Sequence, residues 1–399
     1  MRLRINNFRS IRQQELELAP ITLVYGPNGA GKSSLLYALP TMKNIMLNPN
    51  QNPNGFFNYL FANLGSYESL VFNHEIDRQI SFSVEIEEQE ARIRYEIDLS
   101  DKSGGFILCL DEKSGAREEL KLPVSFPYPA NQQSQITKSE GDRSFTINWN
   151  GVIAQVQPSQ PDEESQQRAR QLMVFLNTPT ETLRKVGIIP LKRGFSKTHF
   201  QTTPVGQMIL EDEIAALLSM DKYLESKVSV YLERIFKRDF RVHVTPGTAL
   251  FSLDATDRET GLGTELVNDG FGVNQIVYLL ARCLHREAQW LCIEEPEIHL
   301  HPSAIRNLAR VLVQIVREEG KRFLISTHSE NLLTALLTLV SSGELSGTEL
   351  ACYYARKEKK ETVFELQKIN EKGQIEGGLA SFLEAELSDL KVFLKTGEK

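Results

Sequence analysis

The spacing of apolar residues divides the chain into stretches of different character. In residues 1–40 a short alternating segment precedes an apolar run at 21–25, a glycine-rich turn and apolar residues at helical spacing. This order predicts strand, strand, turn and helix. Between residues 80 and 110 apolar side chains occupy every second position, which predicts an antiparallel meander of strands.

The middle of the chain has a weaker pattern. Two stretches, 127–141 and 155–171, are rich in Gln, Ser and Pro and poor in apolar residues, so we predict loops or mobile segments there. Residues 208–240 carry apolar side chains at near-helical spacing, which predicts one long helix or two short ones. We therefore expect an inserted lobe of helices and mobile loops.

The final third returns to alternating strands and helices. Apolar runs at 291–293 and 323–325 flank an amphipathic pattern at 303–318, which predicts a βαβ unit and a partly parallel sheet. A closing hairpin at 350–354 and 363–369 and a last helix near 379–394 are expected to follow. We predict three segments: 1–110 and 261–399 as the two halves of one domain, and 111–260 as the inserted lobe.

Composition and charge narrow the class of protein. The 399 residues are 41% hydrophobic and 24% charged, which is ordinary for a globular chain and unlike a disordered one. The net charge of -7 excludes a polycation that holds nucleic acid by bulk attraction. Any contact with nucleic acid therefore has to be local.

Cysteine usage and hydropathy bear on the compartment. The four cysteines form no C-x-x-C pair and lie far from any histidine spacing typical of zinc sites, which favours a reducing compartment. No apolar run approaches the roughly 18 residues that a membrane span requires. We predict a cytoplasmic protein with no membrane contact.

The glycine-rich turn matches a known phosphate-binding pattern. Residues 26–33 read Gly-Pro-Asn-Gly-Ala-Gly-Lys-Ser, which fits G-x-x-x-x-G-K-[ST], and they lie between a predicted strand and a predicted helix. Backbone N–H groups of such a loop surround phosphates, the lysine reaches the terminal phosphates, and the serine hydroxyl binds Mg²⁺. The alternative is a glycine turn with an incidental lysine. The candidate nucleotide-binding residues are Asn28, Gly29, Ala30, Gly31, Lys32, Ser33 and Ser34.

A second motif ends the apolar strand at 290–293. Glu294 and Glu295 follow it directly, as in a Walker B motif. We expect Glu294, together with Ser33, to hold Mg²⁺, and Glu295 to polarise the attacking water as a catalytic base. A surface acidic turn is the alternative, although charges beside a buried strand are costly without a counter-ion.

Two weaker signals accompany these motifs. His328 follows the next buried strand and would usually be structural when seen alone. Just before the acidic motif, residues 267–275 carry two glycines and lead into an apolar helix that Asn268 or Asp269 can cap. A glycine turn capping a core helix explains the second pattern equally well.

The order of these motifs resembles that of ABC-type ATPases of the SMC, Rad50 and RecF group. Residues 5–10 and 294–302 are similar to the corresponding motifs of compact OLD-like bacterial ATPases of the AAA type. The resemblance implies an α/β P-loop NTPase of ABC type, with a mixed central sheet, flanking helices, an antiparallel β-meander and an inserted α-helical lobe. Fewer residues than a Toprim nuclease needs follow His328, and no Asp-x-Asp is among them, so we expect no nuclease domain.

The same resemblance implies roles for further residues. ATP and Mg²⁺ would be the cofactors, and His328 would be the catalytic switch histidine. Arg9 would reach the nucleotide phosphates, although a surface arginine in a strand turn is equally consistent. No glutamine lies in 64–73, where the Q-loop is expected, so no residue is assigned to it.

The resemblance also implies self-association. Asn268, Gly270 and Gly272 would contact the nucleotide of a second subunit in trans, in place of the transporter signature, so we expect a homodimer or a higher homo-oligomer.

Two classes of function fit this chain. One is a DNA-engaging ATPase in repair, recombination or phage defence, with an effector nuclease or toxin as a further partner. Local basic groups would then contact DNA, unless they belong to a solvated loop; these are Arg184, Lys185, Lys192, Arg193 and Lys197. The other class is an ATP-dependent sensor or scaffold that binds and releases a protein effector without contacting DNA.

Overall fold

The computed structural model describes residues 1–87, 91–113, 115–206 and 210–376, and the structural statements below refer to them. The strands, in chain order, are β1 (Arg2–Phe8), β2 (Ile11–Glu17), β3 (Ile21–Tyr25), β4 (Asn58–Tyr59), β5 (Ala62–Asn63), β6 (Ile80–Glu87), β7 (Ala91–Leu99), β8 (Ser103–Glu112), β9 (Arg117–Ser125), β10 (Ser134–Glu140), β11 (Arg143–Trp149), β12 (Ala154–Pro158), β13 (Val186–Ile189), β14 (Phe200–Gln201), β15 (Arg238–Val244), β16 (Leu250–Asp257), β17 (Gly263–Glu265), β18 (Trp290–Glu294), β19 (Arg322–Thr327), β20 (Leu350–Glu358) and β21 (Glu361–Gln367). The α-helices are α1 (Lys32–Leu36), α2 (Ala38–Leu47), α3 (Tyr67–Leu70), α4 (Glu163–Arg184), α5 (Glu211–Met220), α6 (Lys222–Phe236), α7 (Phe271–Leu284), α8 (Pro302–Glu319) and α9 (Glu330–Ser341).

A mixed central sheet organises the molecule. Its strand order is β13-β18-β19-β3-β20-β21. All neighbours are parallel except β20 and β21, which form the predicted antiparallel hairpin. All five residues of β3 are buried, as expected for a strand covered on both faces. The carboxyl ends of β3, β18 and β19 therefore meet at one edge of the sheet.

The central sheet separates two hydrophobic cores. Side chains alternate between the faces of a strand, so Phe323 and Ile325 of β19 enter the core formed with α7, α8 and α9, whereas Leu324 enters the opposite core. That second core also contains α1, α2 and the antiparallel sheet. The predicted α/β fold class is confirmed.

The antiparallel sheet covers one side of the molecule in the order β2-β1-β6-β7-β8-β9. Strands β6, β7 and β8 are the predicted meander. The sheet continues beyond residue 110 into β9, and β13 joins the central sheet beside β18. The sheets thus do not follow the boundaries at 110 and 260, and the division into three segments stays a prediction.

The prediction of loops at 127–141 and 155–171 was wrong. Strand β10 occupies 134–140, and β12 and much of α4 occupy 155–171. The pattern is hidden because an inward position of β10 carries Lys138, which is 2% exposed and pairs with Glu112 at 2.6 Å. In α4 the first turns are polar, and the buried residues come mainly later, at Leu172, Leu176 and Leu183.

Two other predictions about secondary structure are confirmed. The apolar pattern at 208–240 corresponds to two helices, α5 and α6. The βαβ unit is β18-α8-β19 with parallel strands. The helix predicted near 379–394 lies outside the described residues. Among those that are described, no helix combines the length and apolar character needed to cross a membrane.

Candidate functional site

The glycine-rich loop joins the middle strand of the central sheet, β3, to α1. Gly26, Gly29 and Gly31 have φ angles of 148°, 75° and 97°, in a region that residues with a Cβ seldom adopt. A Cβ on Gly26 would lie 2.2 Å from the carbonyl oxygen of Ala355 in β20. The loop therefore starts directly against the neighbouring strand, and glycine is needed for that close approach.

Lys32 points back into this loop. Its ammonium donates hydrogen bonds to the carbonyl oxygens of Gly26 (2.8 Å) and Pro27 (3.1 Å), and the residue is 7% exposed. Burial lowers the pKa of the Lys32 ammonium. A cation beside the first N–H groups of a helix is an arrangement that phosphate oxygens fit.

The acidic motif meets the loop through one hydrogen bond. The Ser33 hydroxyl donates to a carboxylate oxygen of Glu294 at 2.7 Å. These residues are 261 positions apart in the sequence. A hydroxyl and a carboxylate are oxygen ligands of the kind that Mg²⁺ prefers, so the donor set fits the expected ion.

Glu295 lies beside His328. The Nδ1 atom of His328 contacts the Glu295 carboxylate, and their side chains are 53% and 13% exposed. Glu297 is buried next to them and accepts a hydrogen bond from the Thr327 hydroxyl. Burial raises the pKa of Glu297 to about 7. One ligand atom from each of Glu295, Glu297 and His328 lies within 4.8 Å of the others, so this trio is a second group of metal-binding type.

A cavity of about 830 Å³ adjoins the glycine-rich loop and Glu295, whereas Glu294 and His328 are not among its lining residues. It is lined by Glu295 and Arg9 and by most of the predicted nucleotide-binding residues, namely Asn28, Gly29, Gly31, Lys32, Ser33 and Ser34. Ala30 is buried in the core instead. One guanidinium nitrogen of Arg9 is buried without a hydrogen-bond partner among the described residues, and burial lowers the pKa of Arg9. An unpaired buried cation facing this cavity fits an anionic ligand such as a triphosphate.

Several lining residues were not found from the sequence. Asn73 and His74 lie at the cavity, at the end of the segment where no glutamine could be assigned. Lys357, Lys359 and Lys360 reach it from the β20–β21 hairpin. The lysine cluster is visible in the sequence, but its position depends on β20 pairing with β3, which no local pattern reveals.

The trans segment lies elsewhere. Gly270 precedes α7 as its N-cap without a side-chain cap, so the expected cap by Asn268 or Asp269 was wrong. The Asn268 amide instead donates to Glu265 at 3.0 Å. A Cβ on Gly272 would lie 3.0 Å from the carbonyl oxygen of His299, which follows the acidic motif.

Arg193 does not lie where the sequence analysis predicted. It was grouped with basic residues for DNA, yet it is only 7% exposed. Its guanidinium donates to the carbonyl oxygens of Pro190 (3.0 Å), Glu294 (2.6 Å) and Glu295 (2.6 Å). Burial lowers the pKa of Arg193 to about 10. Arg193 therefore supports the acidic motif and does not reach a DNA backbone.

The family model described as AAA domain, putative AbiEii toxin, type IV TA system matches residues 21–334. The chain belongs to this family. The matched region runs from β3 to beyond His328 and so contains both motifs and the switch-histidine candidate. No curated protein matches the sequence of this AAA-family ATPase significantly.

Two solved structures are similar to this chain. The SmcHead bound to the C-winged helix domain of ScpA is 10% identical, with a TM-score of 0.50 over 93% of this chain and 98% of that one. The SMC head domain from Thermotoga maritima is also 10% identical, with a TM-score of 0.45 over 92% and 98% of the two chains. The first of these likenesses confirms the ABC-type head fold of the SMC group, whereas the closer likeness to OLD-like ATPases stays a prediction.

Replacing Lys32 by Ala should remove most nucleotide binding, because its ammonium is a cation held by the glycine-rich loop at the cavity where the phosphates are expected. Titration with a fluorescent ATP analogue measures the dissociation constant, which we expect to rise at least about tenfold. Lys121→Ala, which changes an exposed lysine on β9, is the control. Unchanged affinity in Lys32→Ala would exclude this phosphate site.

Proposed function

We propose that the protein binds ATP with Mg²⁺ in the cavity above Lys32 and hydrolyses it. The observation that supports the proposal is the Ser33–Glu294 hydrogen bond, because it joins the glycine-rich loop to the acidic motif, whose next residue, Glu295, lines the same cavity as Lys32. A phosphate loop, a metal-binding pair and a base beside a histidine are the parts that ATP hydrolysis needs. The role proposed for each residue follows from its position.

Lys32 and Arg9 would bind the phosphates, and Ser33 and Glu294 would hold Mg²⁺. The metal, when bound, supplies positive charge that offsets the charge of the phosphates. Glu295 accepts a proton from the attacking water. Its carboxylate is partly exposed and lines the cavity, so a water molecule there can reach it. His328 contacts that carboxylate and orients it.

We further propose that ATP joins two copies of the chain. Asn268, Gly270 and Gly272 do not line the nucleotide cavity of their own chain in the described residues, so their contact with nucleotide needs a second copy. Phe271 between the glycines is 65% exposed, and a large aromatic side chain on the surface is typical of an interface. Hydrolysis would then reopen the dimer.

Replacing Glu295 by Gln should lower kcat about 10²- to 10⁴-fold, since the general base is lost. The affinity for ATP should change little, because the phosphates are held by other residues. Phosphate release and nucleotide titration measure the two quantities. Glu259→Gln, which changes an exposed glutamate after β16, is the control, and equal turnover in Glu295→Gln and wild type would refute the assignment.

The Glu295→Gln variant should also form a dimer or a higher oligomer when ATP is added, because it binds ATP without hydrolysing it. Sedimentation velocity with and without ATP checks this. Phe271→Asp in the same background should abolish the shift by placing a charge in the interface. A sedimentation coefficient that does not change when ATP is added would rule out the shared site. It would not contradict hydrolysis by a single chain.

The process that ATP drives is proposed in two versions. The first is a DNA-related role or phage defence, with an effector nuclease or toxin. It is supported by the family description, which names a putative toxin of a toxin–antitoxin system. The second is a sensor that binds and releases a protein effector, supported by the ScpA domain bound to one structurally similar head.

A salt titration of DNA binding separates these versions. In the first, affinity for duplex DNA should appear with a non-hydrolysable ATP analogue and fall linearly with log salt, at a slope of about −0.9 per phosphate contact. The exposed pair Lys185 and Lys192 are the basic groups to test, and replacing both by Ala should reduce the slope. Lys237→Ala is the control. Absence of binding with and without analogue would favour the protein effector.

A further inference from the structure

The loop after β13 touches two parts of the proposed site at once. Arg193, Gly194 and Phe195 lie between the end of β18 and the beginning of α7. The end of β18 contains the acidic motif. The beginning of α7 adjoins the trans segment, which contains Asn268, Gly270 and Gly272. No motif in the sequence marks this loop.

Arg193 donates hydrogen bonds to the backbone of the acidic motif on both sides of the Glu295 Cα. One nitrogen of its guanidinium donates to the Glu294 carbonyl and another to the Glu295 carbonyl, each at 2.6 Å. These carbonyls belong to the peptide groups before and after the Glu295 Cα. Glu295 has a φ of 47°, a left-handed conformation that residues with a Cβ seldom adopt. A planar fork that fixes both peptide groups keeps Glu295 in that conformation.

The loop is in turn fastened to α7 by Asn274. The Asn274 amide donates to the carbonyl oxygens of Phe195 (2.8 Å) and Leu266 (3.0 Å), and its side-chain oxygen accepts from the Phe195 N–H (2.7 Å). Asn274 is 7% exposed. Gly194 has a φ of 118°, and a Cβ there would lie 2.8 Å from the Asn274 side-chain oxygen. The position of Arg193 therefore depends on where α7 begins.

We propose that Arg193 is a positioning residue for ATP hydrolysis and that Asn274 links it to the trans segment. The proposal rests on the proposed hydrolysis by Glu295. Arg193 acts through the main chain of Glu295 and touches no nucleotide. Because α7 starts at the segment that meets the second copy, contact between copies is passed through Asn274 and Arg193 to the catalytic carboxylate.

Turnover of Arg193 variants tests this role. Arg193→Ala should lower kcat about 10²-fold, the loss typical of a misplaced catalytic group, with the dissociation constant for ATP changed less than about twofold. Arg193→Lys should lose about tenfold, since a single ammonium cannot reproduce the planar fork. Lys121→Ala, which changes the exposed lysine on β9, should behave as wild type. Thermal melting verifies that each variant is folded at the assay temperature.

A double-mutant cycle with Glu295→Gln distinguishes positioning from general support of the fold. If Arg193 acts through Glu295, adding Arg193→Ala to Glu295→Gln should lower kcat less than about twofold further. Losses that multiply, or wild-type turnover in both Arg193 variants, would overturn the proposal. If both Arg193 variants melt below the assay temperature, Asn274→Asp decides, because it keeps the Arg193 side chain but removes the amide donors that fasten its loop to α7: kcat must fall while ATP affinity holds.

The outcomes for the two proposals are distinguishable. A wild-type protein that hydrolyses no ATP contradicts the proposed function itself. If ATP hydrolysis is lost in Glu295→Gln but retained in Arg193→Lys and Asn274→Asp, the proposed function is supported and the positioning role is contradicted.

Discussion

The hydrogen bond from the Ser33 hydroxyl to Glu294 is the contact on which the proposed site depends, and the parallel central sheet makes it possible. Only β19 separates β3 from β18, so the ends of those strands lie roughly 10 Å apart at the spacing of neighbouring strands. Parallel pairing brings their carboxyl ends to the same edge. Side chains at the strand ends and in the following loops bridge the remaining gap, whereas an antiparallel β19 would have sent the strand end that precedes His328 to the opposite edge.

Charge balance is the second constraint on this edge. Three glutamates, at 294, 295 and 297, follow a buried strand, where unpaired charge is costly. The cations that face them are also largely withdrawn from water: Lys32 and Arg193 are each 7% exposed. Burial raises the pKa of Glu297 and lowers those of Lys32 and Arg193, as expected for ionisable groups held in a region of low dielectric. The acidic motif and its cations therefore have to fold together.

Local patterns were sufficient to predict the parts of the site that obey local rules. The P-loop needs glycines, a lysine and a serine in consecutive order, and Glu294 ends an apolar strand, so both can be read from short segments. Arg193 could not be predicted, because its partners are main-chain carbonyls 101 and 102 positions away, which carry no side-chain signature. Lys138 concealed β10 in a similar way, since a paired buried lysine mimics a surface position.

The central place of β3 has a consequence for how the protein is made. All five residues of this strand are buried, and its partners β19 and β20 begin about 300 residues later in the chain. At ordinary rates of translation that distance corresponds to roughly 15–60 s. During this interval an apolar strand with two open edges has left the ribosome while neither partner has been synthesised. We therefore expect holdase chaperones, which bind extended apolar segments, to bind the nascent chain during this interval.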